Sequence, residues 1–260
     1  MKLLIILIIN ITSLFALVSI APVEIGDKPG THVSGAVSLE SKRGNTDKNN
    51  YQASARVTYD DNQDYVTWGE VSGEYGDSSH EKDTDNLYAH IRYIEKIDLL
   101  KIDSNNIRAE YFGQIQKDEF KLIEERILLG AGLRYKLFEF LNTISTDVFK
   151  DSKAYVGVGG FYENIGYTSS DPIERNFRLN TYFAYVMSFD NKVSLSYNFY
   201  YQPKVDDLND YATSNKFELK VHVYEKLFLS FNAYYDIDSK PPQGVKTDDY
   251  GQRTNFVFEF

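Results

Sequence analysis

A closed antiparallel transmembrane β-barrel of about twelve strands, following an N-terminal signal peptide, is the all-β fold class that this sequence predicts. Three observations predict it. Apolar and polar residues alternate with period two in twelve successive runs, the mark of strands with one apolar face. The apolar faces are nearly free of charge and end in aromatic residues, as expected for girdles at two membrane interfaces. The chain opens with an export-type segment and closes on Phe256, Phe258 and Phe260.

Lys2 precedes an apolar run from Leu3 to Ile9, and after Asn10 a second run reaches Ile20, broken by Thr12, Ser13 and Ser19. This is a charged n-region followed by an h-region. Ser19 and Ala21 are small residues suited to cleavage after Ala21; Pro22 disfavours that site, and cleavage after Ser19 is the alternative. A single anchoring helix is the competing reading, against which stand the short run, Asn10 and the lack of a basic stop. The division is therefore a signal peptide over 1–21 and a barrel domain over 22–260.

The strands follow in order. Val33, Gly35, Val37 and Leu39 form the apolar face of the first, and Tyr51, Ala53, Ala55, Val57 and Tyr59 that of the second. The third covers Tyr65 to Tyr75, and the fourth sets Leu87, Ala89, Ile91 and Tyr93 against Tyr88, His90 and Arg92. Ile107 to Ile115 and Ile127 to Leu137 give the fifth and sixth clean faces, and Ala154 to Tyr162 the seventh. Phe177 to Tyr185, Val193 to Tyr201, Phe217 to Val223, Leu227 to Tyr235 and Thr254 to Phe260 complete the set. No run sustains a helical period, although Leu137 to Val148 has room for a short helix. Connections after odd-numbered runs are polar and often long (Lys42 to Asn50, Asp77 to Asp85, Asn164 to Pro172, Pro203 to Thr213, Asp236 to Asp249). Asp60 to Asp64, Ser188 to Lys192 and Glu225 to Lys226 are tight, with Glu95 to Asn105 and Phe138 to Asp151 as longer exceptions. That asymmetry suits long outer loops and short periplasmic turns. An even strand count then places both termini on the periplasmic side.

Soluble barrels alternate too, so the choice of lipid rests on further features. Turning Lys216 and Lys220 outward would cost about 2–4 kcal/mol each near the bilayer midplane, which fixes the phase of their strand. Phe256, Phe258 and Phe260 resemble the C-terminal signal by which the outer-membrane assembly machinery selects its clients. Closure is required because an open sheet in lipid leaves edge N–H and C=O groups unpaired. Absence of cysteine excludes disulfide scaffolds and thiolate metal sites. A net charge of −10 without any Lys/Arg block argues against nucleic acid as a partner.

Between Gly44 and Leu137 a family resemblance emerges. Gly44-Asn45-Thr46, Tyr75-Gly76, and Tyr88, His90, Arg92 and Tyr93 carry part of it. The strongest piece runs from Glu110 to Tyr135, with Gln114, Asp118-Glu119-Phe120, Arg126, Gly130, Gly132 and Arg134-Tyr135 at matching spacing. The stretch resembles the family of salt-induced outer-membrane proteins, domain of unknown function 481. The resemblance implies a barrel in the outer membrane and a link to salt or osmotic conditions, with no chemical mechanism; it thins over Phe138 to Asn176.

Candidates for chemistry are few. The four histidines, His32, His80, His90 and His222, are scattered, whereas metal sites want ligands close together; His90 and His222 are expected in the lumen as hydrogen-bonded groups. Lipase- or protease-type barrels exist, yet no paired Ser/His or Asp/His arrangement is visible, so no catalytic, metal or cofactor-binding residue is assigned. The acidic stretch Asp77 to Asp85 reads as a solvated loop, with a weak Ca²⁺ or Mg²⁺ bridge to lipopolysaccharide as the sharper alternative. The candidate lumen-lining residues are Arg56, Arg92, Arg108, Glu110, Arg126, Arg134, Arg178 and Lys220, joined by Lys136, Lys216, Arg253, Glu40, Glu70, Glu74, Glu163 and Glu218. They suit either a narrow pore preferring anions or a salt-bridged plug that stiffens a closed barrel. A barrel of this size lies between eight strands, which enclose side chains, and sixteen, which leave a channel. The expected role is structural, or small-solute permeability, in the outer membrane of a Gram-negative envelope, in contact with lipid and lipopolysaccharide. An exported soluble barrel binding a small ligand is the remaining alternative.

Overall fold

The computed structural model describes residues 22–42, 48–78, 81–97, 106–137, 152–168, 172–189 and 192–260. The expected signal peptide over 1–21, the helix expected beyond Leu137, Gly44-Asn45-Thr46, His80 and the Glu40 side chain lie outside the described residues.

Twelve strands form one closed antiparallel barrel in which each pairs with its sequence neighbours. They are β1 Gly30–Lys42, β2 Lys48–Asp60, β3 Tyr65–Ser78, β4 Glu81–Lys96, β5 Ile107–Asp118 and β6 Ile123–Lys136. The second half comprises β7 Ser152–Tyr167, β8 Glu174–Phe189, β9 Val193–Pro203, β10 Tyr211–Tyr224, β11 Leu227–Asp238 and β12 Asp248–Glu259. Period-two alternation sets the inside and the outside. Leu39, Leu87, Ile91 and Leu129 stay more than 60% exposed on the outer face, while their strand neighbours point inward. Tyr59, Tyr65, Tyr93 and Tyr111 form a continuous aromatic row over β2 to β5 at the end that holds the termini, with successive ring centroids 5.9, 5.2 and 6.3 Å apart.

The strands outrun their apolar patterns. β3 and β4 pair as far as Ser78 and Glu81, with a register shift between Gly76 and Asp77, so the acidic stretch expected as a loop is mostly hairpin. A ladder needs only backbone groups, and beyond the bilayer the side chains need not alternate. The length asymmetry of the connections does not survive. The strand ends that the longest connections join, those of β4 and β5 and of β6 and β7, lie at the end holding the termini, whereas 119–122 on the opposite end is a tight turn.

The seam between β1 and β12 is short. Ser34 to Val37 pair with Glu259 to Phe256, and Val33 and Phe260 exchange two further backbone bonds. Every other strand pair carries a much longer register; β1 and β2 pair from Gly30–Asp60 to Lys42–Lys48. Beyond Val37 the two closing strands are joined by the Ser38 hydroxyl donating to the Thr254 carbonyl, at 3.1 Å.

Candidate functional site: the barrel lumen

One half of the lumen is filled. Trp68, Phe112, Leu128, Tyr155, Phe161, Tyr182, Ala184 and Tyr200 form a buried cluster on the inner faces of β3 and β5 to β9. Glycines on β6 and β7 give its rings space: the Tyr182 ring lies 2.0 Å from where a Cβ on Gly157 would stand, and Phe112 lies 2.3 Å from that of Gly130. Within this cluster Glu110 sits between Arg92 (3.2 Å) and Arg134 (3.5 Å) and accepts a hydrogen bond from the Tyr182 hydroxyl at 2.7 Å. All four side chains are buried. Arg92 and Arg134 also lie over the faces of Phe112 and Tyr155, 4.8 and 4.5 Å from the ring centroids, so ring quadrupoles supplement the single carboxylate.

Two further ionic groups extend the filled half. Toward the loop end, Glu163 accepts from Arg126 at 2.8 Å and Arg178 at 2.7 Å, and Arg178 continues to Asp210 at 2.8 Å, tying the 204–210 loop to the wall. Toward the end holding the termini, Arg108 meets Glu24 at 3.4 Å.

Glu24 carries no strand pattern and was invisible in the sequence. It belongs to the segment Pro22 to Pro29, which folds into the mouth of the barrel. Its carboxylate accepts from the Tyr155 hydroxyl at 2.8 Å and lies 3.6 Å from Lys136. Burial alone would raise this carboxyl, but Arg134, Lys136, the Tyr155 hydroxyl and Arg108 together hold it below the usual carboxylate range. Asp60 accepts from the backbone N–H of Gly26 and Lys28 at 2.9 and 3.2 Å, and Asp27 and Lys28 pair with Lys153 and Glu259.

The opposite half is open. A cavity of about 540 Å³ runs along the inner faces of β1 to β3 and β10 to β12, with Pro22, Val23, Asp27 and Lys28 among its lining residues. Arg56 and Lys220 face it, and Lys220 pairs with Glu259 at 2.5 Å. The structure therefore gathers Arg92, Glu110 and Arg134 into one group and Arg126 and Arg178 into another. It sets Arg108 on Glu24 and leaves Arg56 and Lys220 on the cavity wall. As many carboxylates as basic side chains line that wall, so the anion preference expected of a pore has no counterpart in its charge balance. Toward the loop end Arg253 reaches across β1 to Gln52 (2.5 Å) and Glu74 (2.7 Å). Asn50 donates to the same Glu74 oxygen at 2.7 Å, and this group roofs the cavity.

The histidines take separate places. His90 is buried inward beside Trp68, centroids 4.8 Å apart, with Tyr88 and Phe112 stacked near it and Gln114 opposite it in the β4–β5 register. His222 hydrogen-bonds the Glu225 carbonyl oxygen at 2.7 Å. At the loop-end rim Lys82 bridges Asp85 and Glu119, and Lys117 adds a second cation to Asp85. Lysines thus hold Asp85, one of the carboxylates considered for a divalent cation, and no cluster of potential metal ligands occurs among the described residues. Phe256 and Phe258 lie on the outward face of β12 and Phe260 follows it; all three are exposed.

Residues 35–260 match the family described as protein of unknown function, DUF481. The chain belongs to this family. No curated protein matches it. Among solved structures, the COG4313 outer membrane channel from Pseudomonas putida F1 superposes with a TM-score of 0.52 at 10% identity, over 92% of this chain and all of that one. The NanC porin does so with a TM-score of 0.49 at 13% identity, over 88% and 98% of the two chains. The DUF481 chain therefore has the fold of outer-membrane barrels.

Proposed function

We propose that this DUF481 protein sits in the outer membrane of a Gram-negative cell and lets small solutes cross through the open half of its lumen. The cavity of about 540 Å³ carries this reading: a barrel serving only as a stiff wall would gain from filling both halves with side chains, as it fills one. The uncharged apolar belt supports a lipid contact, and the likeness in fold to an outer-membrane channel supports transport over catalysis. Phe256, Phe258 and Phe260 serve, in this reading, as the signal to the barrel assembly machinery, and removing Phe260 should lower the outer-membrane level of the protein.

Purified protein in planar bilayers should give conductance steps, and replacing the roof residue, Arg253→Ser, should enlarge them. Silence across a broad salt range in both proteins would overturn the reading. What would remain is the second reading, a structural wall, favoured by the buried Arg92–Glu110–Arg134 and Arg126–Glu163–Arg178 groups.

A further inference from the structure

The filled half of the lumen pairs its charges; the open half holds the pairs Lys220–Glu259 and Arg253–Glu74 and, beside them, four charged side chains outside any ion pair among the described residues. Arg56 and Glu70 stand directly opposite each other in the β2–β3 register, and Lys216 and Glu218 lie two residues apart on the inward face of β10. All four line the same cavity, and Arg56 is within the electrostatic reach of both Glu70 and Glu218. Yet among the described residues none of the four makes an ion pair within 4.0 Å. One terminal nitrogen of Arg56 is shielded from solvent without a hydrogen-bond partner, and its guanidinium carbon lies over Trp68, 4.0 Å from the ring centroid. All four side chains are half-buried on the cavity wall, so a solute that enters the cavity meets charges of both signs, and one carrying both signs can satisfy them.

Building on the permeability reading, we propose that the solute is a small zwitterion carrying a carboxylate and an ammonium group, the chemistry of a free amino acid. Its carboxylate meets Arg56 and Lys216; its ammonium meets Glu70 and Glu218. A simple anion drawn to Arg56 is repelled by the two glutamates, and a simple cation drawn to the glutamates is repelled by Arg56 and Lys216. A zwitterion alone turns all four charges to attraction, and like-charge opposition rejects its competitors. The hydroxyls of Ser54, Ser72 and Ser230 offer further hydrogen bonds from the same wall.

Swelling of proteoliposomes carrying the full-length processed protein tests this, with γ-aminobutyrate as the zwitterion and erythritol as a neutral solute of similar size. Wild-type vesicles should swell about tenfold faster in γ-aminobutyrate, the ratio that ~1.4 kcal/mol of preferential interaction produces. Arg56→Gln with Lys216→Gln, and separately Glu70→Gln with Glu218→Gln, should lower the γ-aminobutyrate rate to that of erythritol. Equal or faster entry of erythritol in the wild type overturns the zwitterion assignment and leaves the channel standing. Swelling in neither solute overturns both. The wild-type comparison decides even where a double variant fails to fold.

Discussion

Glu24 shows how much a single residue outside the strands can decide. Its ionised form is favoured by the folded protein, so the stabilisation it gives is fully present above the ordinary carboxylate range and is lost as pH falls through its lowered value. The segment Pro22 to Pro29 should accordingly become open to limited proteolysis on acidification, and Glu24→Gln should remove most of that pH dependence; a segment equally protected at both pH values in the wild type would contradict the account. At the centre, Glu110→Ala strips buried Arg92 and Arg134 of the carboxylate they share, which should cost about 3–5 kcal/mol, read as a lower denaturant midpoint. Gly157→Val places atoms where the Tyr182 ring lies, and overpacking of this kind costs about 1–3 kcal/mol. The inward arginines were legible because period two assigns every strand residue to a face. Their partners were not: Arg126 meets Glu163 thirty-seven residues away, a pairing that register across β6 and β7 determines and local pattern does not contain. Glu24 and the ring space at Gly157 left no periodic trace at all.

At the scale of elements, twelve alternating runs became twelve strands because a bilayer enforces alternation on every strand that crosses it. Ends were less legible, since polar residues beyond the bilayer neither favour nor oppose continued pairing. This is why Asp77 to Asp85 reads as a loop in the sequence and forms a hairpin in the fold. Sequence likewise held no sign of the brief seam, because β1 and β12 are brought together only when the barrel closes. Those two strands are the least-paired neighbours in the barrel, and opening there breaks few backbone bonds. Amide hydrogen exchange should be fastest among the strands on the β1-facing edge of β12 between Asp248 and Thr254, and slow along β3 and β4, whose register runs from Tyr65–Glu95 to Ser78–Glu81. Uniform protection around the ring would contradict the short seam.

Across the whole molecule, the division of the lumen into a filled and an open half underlies both the proposed solute path and the selectivity proposed for it. Composition could not reveal it, because the same mixture of charges serves a plug or a pore; only the closed register separates the paired arginines from Arg56 and Lys216. The chain has no cysteine, so single cysteines report their own surroundings without background. A membrane-impermeant, water-soluble thiol reagent reacts with a thiolate only where water reaches it. Applied to the protein in proteoliposomes, it should label Ser54→Cys and Asn255→Cys, which line the cavity, and spare Ala184→Cys in the filled half and Leu87→Cys on the lipid face. Equal labelling of Ser54→Cys and Ala184→Cys, or none at Ser54→Cys and Asn255→Cys in folded protein, would contradict the divided lumen.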